Sequence, residues 1–188
     1  MSINNFLSSL TGGGARANQF RVSLNFPTFV PGGTAAASKG QFLCSAASLP
    51  GQTISVAPVM YRGRQIKLAG ERTFDNWQVT IINDTDFSIM NAFEGWMQQI
   101  NDKTENTGLT SPLVYTTNMT VEHLDRNGNS LKSYTFQDAW PVNISPIQLS
   151  FGDNDTVETF AVEFAYQYFE SSASSGGSVI LSTPLGNI

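Results

Sequence analysis

The chain has 188 residues, 40% hydrophobic and only 13% charged, enough apolar surface for one domain with a buried core and no need of a second. Its formal net charge of −5 argues against general nucleic-acid binding, which needs a basic surface to displace counterions from phosphates. A single cysteine, Cys44, excludes an internal disulfide, and with one histidine, His123, a Cys/His zinc site is all but excluded.

The N-terminus has no basic region followed by an apolar run, and nowhere do the roughly 18 apolar residues of a membrane span occur together. A soluble, non-exported chain with no membrane-spanning segment is expected, so the Asn-x-Ser/Thr matches at Asn83, Asn118, Asn143 and Asn154 carry no glycosylation meaning. Residues 1–17 are Ser/Gly-rich around Ile3, Phe6, Leu7 and Leu10 and end near Gly12-Gly13-Gly14, predicting a flexible N-terminal arm. Strand signals follow at Gln19–Phe26 and Gln41–Ala47, separated by a flexible loop from Pro31-Gly32-Gly33 to Gly40.

From Gln52 to Leu68 the chain alternates on either side of Tyr61-Arg62-Gly63-Arg64, predicting a long hairpin. Pro58 cannot donate to a ladder, which places this hairpin at the periphery, projecting from the body. The stretch from Ala69 to Val79 then reads as a turn feeding a strand. Gly70 supplies the positive φ of the turn, and Trp77, Val79 and Ile81 share one face of the strand.

Asp84-Thr85-Asp86 offers helix-capping groups, and Ile89, Met90, Phe93, Trp96, Met97 and Ile100 recur at helical spacing. One amphipathic helix covering a sheet is predicted here. Met119–Asp125 and Leu131–Phe136 flank Arg126-Asn127-Gly128-Asn129, a hairpin signature. Beyond a Trp140-Pro141 step come a strand about Gln148–Phe151, a turn at Gly152–Asp155 and a long strand from Val157 to Phe169. In that strand Phe160, Val162, Phe164, Tyr166 and Tyr168 face one way and Thr159, Ala161, Glu163, Ala165 and Gln167 the other. The first face must be buried; the second, small, polar and acidic, can meet water. Residues 171–188 read as a flexible tail, leaving 18–170 as the folded domain.

Chemistry is sparse. Counting from Asp153, the glycine and glutamate positions of a calcium loop fall on Glu158 and Phe164, so Asp153-x-Asp155 is a turn. Gly12-Gly13-Gly14 lacks the Lys and Ser/Thr of a phosphate loop, and no nucleophile elbow or Ser/His/Asp order is present. No enzyme, metal or cofactor is expected. The charges segregate: residues 1–72 carry seven basic residues against Glu71, net +6, whereas residues 73–188 carry three basic and fourteen acidic residues, net −11. A subunit with opposite ends of this kind can stack head to tail on copies of itself.

Several ordered blocks carry a family resemblance: Cys44-Ser45-Ala46-Ala47-Ser48-Leu49-Pro50-Gly51, Arg64-Gln65-Ile66-Lys67-Leu68, Ala69 through Asp84, Trp140-Pro141-Val142-Asn143-Ile144, Ile147-Gln148-Leu149, and Glu158-Thr159-Phe160-Ala161-Val162-Glu163. Over roughly residues 18 to 170 the chain resembles the tail tube proteins of contractile-tailed phages of the T-even kind. The resemblance implies a mainly β, antiparallel sandwich or barrel with one flanking helix. It also implies a structural role in the virion tail tube: hexameric rings stacked head to tail into a conduit through which the genome is ejected inside a contractile sheath. Its partners would be copies of itself, the sheath, tape-measure and baseplate tube-initiator proteins, and DNA in transit, with assembly in the host cytoplasm. A tube initiator or a type VI secretion ring protein would share the fold, while a monomeric carbohydrate-binding β-domain would explain the strands but not the ordered blocks. On this reading Thr159, Ala161, Glu163, Ala165 and Gln167 are expected to line the channel. Met60, Tyr61, Arg62, Arg64, Glu71, Arg72 and Asp75 are expected to contact a neighbouring subunit.

Overall fold

The longest strand, Ser130–Ile144, explains the architecture. A computed structural model describes residues 3–10, 14–152 and 154–173; Gly12, Gly13, Asp153 and the tail from 174 onward lie outside them. The elements in chain order are α1 (Ile3–Ser9), β1 (Phe20–Ser23), α2 (Gly33–Leu43), β2 (Cys44–Ala47), β3 (Gln52–Tyr61), β4 (Arg64–Phe74), β5 (Trp77–Ile82), α3 (Ser88–Ile100), α4 (Pro112–Tyr115), β6 (Thr117–Leu124), β7 (Ser130–Ile144), β8 (Thr159–Ala165) and β9 (Tyr168–Ala173). The fold is mainly β and antiparallel, as expected, with an open strand path β1-β6-β7-β8-β5-β2 among the described residues and β9 added on β7.

β7 serves two sheets. Its first half pairs with β9 through Gln137 and with β6 through Ala139, and its second half, Trp140 to Ile144, pairs with β8. The switch falls at Asp138, whose φ of 55° is left-handed and whose N–H donates to Asn118 Oδ1 at 3.1 Å. A bulge between Pro141 and Asn143 bends the strand further. The Trp140-Pro141 pair, expected as a step between elements, therefore sits inside one strand.

Bending brings two sheets face to face over an aromatic core. Trp77 stacks on Phe136 at 4.3 Å, touches Phe164 at 5.5 Å, and Phe136 meets Tyr166 at 4.9 Å. Val22, Met119 and Val121 from one sheet and Val79, Ile81, Phe160 and Val162 from the other complete it, all essentially without solvent access. Truncating one of these rings to Ala costs about 3–5 kcal/mol, through lost transfer energy and the cavity left behind. The predicted inward faces of β5 and β8 are the buried ones.

α3 forms where its periodicity predicts, burying Ile89, Ala92, Phe93 and Trp96. Phe93 lies 5.7 Å from Phe164 and Phe26 packs on both Phe93 and Trp96. The capping differs in detail from expectation. Phe87 occupies the cap position, and Asp86, one residue earlier, accepts the Ser88 N–H at 3.0 Å.

Four sequence expectations are corrected. The Pro31–Gly40 segment is not a loop: Gly33–Leu43 is a helix, so α3 has a helical neighbour. Its glycines serve close approach, since a Cβ at Gly33 would fall 2.8 Å from Phe26 and one at Gly40 3.0 Å from Leu24. Gln148–Phe151 is not a strand. Gly70 makes no turn; it lies within β4, opposite a bulge at Ser55, where an added Cβ would meet Ser55 Oγ at 2.4 Å. The Val157–Phe169 strand is two strands, broken at Tyr166-Gln167. There the in-out phase slips by one, leaving Tyr168 exposed and Phe169 packed on Phe74 and Tyr134.

Candidate assembly and channel surfaces

β3 and β4 pair only with each other, forming a two-stranded sheet apart from the main one. Arg62 and Gly63 close it with φ of 45° and 79°, the two left-handed residues of a tight hairpin turn. Every residue from Gln52 to Ala69 is exposed. One face of this ladder is set by the pairs Val59–Ile66 and Ala57–Leu68, with Tyr61–Arg64 at the tip, so it is an apolar strip ending in a basic one. An isolated two-stranded hairpin is marginally stable in water, and this one also exposes Ile54, Val56 and Met60.

Its charges stand free. The ion pairs among the described residues are Arg21–Glu122, Lys39–Asp84 and Lys39–Asp86, none of which uses Arg62, Arg64 or Lys67. Arg62 instead lies over the Tyr61 ring, 5.4 Å from its centroid. The segregation of charge along the sequence is thus partly neutralised within the fold, at Arg21 and Lys39, and survives on the hairpin. Met60, Tyr61, Arg62 and Arg64 come together at the tip. Glu71 and Arg72 sit near the root, roughly 26 Å away at strand rise, with Arg72 donating to Gln52 Oε1 at 2.8 Å; Asp75 follows just beyond β4.

The second surface is the outward face of β8. Thr159, Ala161 and Glu163 stand opposite Ile82, Thr80 and Gln78 of β5, while Glu163 and Ala165 stand opposite Asn143 and Trp140 of β7. Among these, Glu163 is the one charged side chain, and its carboxylate accepts a hydrogen bond from Asn76 Nδ2 at 2.9 Å. Tyr115 of α4 rests edge-on against Trp140 and closes the Ala165 end. Gln167 is off this ladder, in the break before β9, its N–H bonded to Gln137 O.

Sequence reasoning missed two features. The other sheet has an outward face of the same character, in which Ser23, Thr120, Thr135 and Glu170 form one cross-strand row and Arg21, Glu122, Ser133 and Ser172 the next. Each strand contributes two of these residues, so only the pairing register assembles them. The segment expected to be a strand about residue 150 instead folds into the walls of an open cleft of about 440 Å3, lined by Ile147, Leu149, Val157 and Glu158 among others. Leu149 and Val157 are largely exposed there, as is Phe151 next along the chain. Cys44, half-buried, has its thiol pushed up to about 11 by burial, unsuited to nucleophilic work. Among the described residues no His/Cys/Asp/Glu group could hold a metal ion, and no helix is long and apolar enough to cross a membrane.

A family model described as phage tail tube protein matches residues 15–172. The tail tube protein of Serratia phage KSP90 is 29% identical over 170 residues, covering 88% of this chain and 94% of the relative. Tail tube protein gp19 of Enterobacteria phage T4 is 30% identical over 162 residues, covering 85% and 93%. In fold, the chain resembles one from the baseplate of the anti-feeding prophage (TM-score 0.59, 14% identity, 86% and 97% coverage). It also resembles one from the sheath–tube complex of an extracellular contractile injection system (TM-score 0.55, 14% identity, 92% and 99% coverage). An exposed, apolar and basic hairpin, two polar sheet faces and no catalytic constellation among the described residues accord with a structural part of a virion, and this chain belongs to the phage tail tube protein family.

Proposed function

We propose that this chain is the repeating subunit of the tube: copies close into hexameric rings, and rings stack head to tail into a conduit for DNA within a contractile sheath. The observation that carries the reading is the β3–β4 hairpin, exposed throughout from Gln52 to Ala69 and apolar on one face. A lone chain has nothing to bury that strip against, whereas a neighbouring copy does. Free edges at β1 and β2 point the same way, because ring closure pairs edges that otherwise invite uncontrolled aggregation.

Within that assembly the outward face of β8, Thr159 to Ala165 with Gln167 beyond its end, lines the channel. Small polar side chains around one carboxylate give DNA phosphates no cation to hold. The hairpin residues Met60, Tyr61, Arg62 and Arg64 meet a neighbour at the tip, and Glu71, Arg72 and Asp75 do so at the root. Sheath, tape-measure and tube-initiating baseplate proteins are the expected outer, inner and terminal partners.

Negative-stain microscopy of the purified chain tests the reading. Rings or tubes are expected; single-chain particles at every concentration tried would overturn it.

A further inference from the structure

We propose that the hairpin tip of one copy seats in the cleft between residues 146–150 and 156–158 of a second copy. This rests on the head-to-tail reading above and adds the receiving surface. The tip presents Met60 and Tyr61, 70% and 57% exposed, with Arg62 over the Tyr61 ring, Arg64 opposite Tyr61 on the same face and Lys67 on the Met60 face. An aromatic side chain backed by arginine is the kind of group that anchors an interface when it enters a pocket.

The cleft is its chemical complement. Ile147, Leu149 and Val157 supply apolar walls, Glu158 a carboxylate and Asp155 a second charge close by in the chain. One oxygen of Glu158 accepts from Asn83 Nδ2, leaving the other for a guanidinium. No lysine or arginine occurs after Lys132, so nothing in the cleft-forming segment repels a basic tip. Another exposed patch of carboxylates beside an apolar side chain, Asp84, Asp86 and Phe87, already has its charge answered by Lys39. The segments 146–150 and 156–158, by contrast, join apolar walls to a carboxylate that forms no ion pair among the described residues.

Tip and cleft are different surfaces of the same chain. Their contact is heterologous and propagates from copy to copy instead of closing a dimer.

The test uses full-length chain with Cys44→Ser, Tyr61→Cys and Leu149→Cys, assembled and then oxidised. A ladder of disulfide-linked multimers is expected, absent when either Tyr61→Cys or Leu149→Cys is left out. A charge exchange adds an independent arm. Arg62→Glu and Glu158→Arg should each lower the sedimentable fraction roughly tenfold, and the pair together should recover it. Tubes by microscopy without a ladder, together with a double variant no better than the single ones, would place the tip elsewhere and leave the tube function intact. Absence of rings or tubes in the unsubstituted chain would overturn the function and this contact together.

Discussion

Gly70 shows how a residue can be recognised in a sequence and still be misread. In isolation a glycine before a strand suggests a turn, but here it marks a close approach, with Ser55 Oγ where a side chain would begin. The backbone of Ser55 is almost as near, its carbonyl oxygen 3.0 Å from an added Cβ, so a rotamer change alone cannot make room. Gly70→Val should therefore disrupt the β3–β4 register although valine favours strands. Because Trp77 and Trp96 lie in the main core, tryptophan-monitored unfolding should keep its midpoint while tube formation is lost. A variant that still assembles would show that the hairpin register is irrelevant to contact. Arg62-Gly63 is the opposite case. Its turn was legible because two-residue hairpin loops demand left-handed φ, a purely local requirement.

At the scale of elements, legibility follows the range of the interactions that form each one. α3 and the β6–β7 hairpin are written in local periodicity and turn chemistry, and both were readable. α2 was not, since its glycines answer to Phe26 and Leu24 across the fold, and composition alone makes them look like a loop. The break between β8 and β9 was equally hidden, because the in-out alternation slips by a single residue at Tyr166-Gln167 and both halves keep pairing with β7.

What fastens α2 to α3 is the bridge from Lys39 to Asp84, at 3.0 Å, and to Asp86. The Lys39 hydrogen bond, then the Ser88 N–H, hold Asp86 down at about 2 from an ordinary 3.8, and Lys39 is raised by Asp86 and then Asp84. A carboxylate depressed on folding stabilises above its unfolded value and loses that contribution as pH falls through its folded one. Lys39→Met should consequently lower the thermal midpoint near neutral pH, by a modest amount because the groups are exposed. The gap to the parent should close as pH drops from about 4 toward about 2, tracking Asp86. A gap that persists at the acid end would mean that Lys39 acts through its aliphatic stem and not its charge.

The whole molecule divides its charge by destination. Of its ten basic residues, Arg21 and Lys39 pair internally and Arg62, Arg64, Lys67 and Arg72 gather on the projecting hairpin, while the outward face of β8 keeps Glu163 alone. The net segregation was visible in the sequence, but which sheet face is turned to a channel was not, because two faces of similar polarity emerge only when β7 bends. The proposed channel face can be separated from its rival by charge. Glu163→Lys places one cation per subunit around the lumen, and each phosphate neutralised adds about 0.9 to the logarithmic salt slope of binding. Phages carrying it should assemble normally and eject DNA slowly at low salt, recovering as salt is raised. Glu170→Lys, on the outward face of the other sheet, should leave ejection unchanged. The reverse outcome, slowing by Glu170→Lys alone, would assign the lumen to the row of Ser23, Thr120, Thr135 and Glu170. Salt rescue is the decisive readout, since a defect in ring packing has no reason to vanish when phosphate contacts are screened.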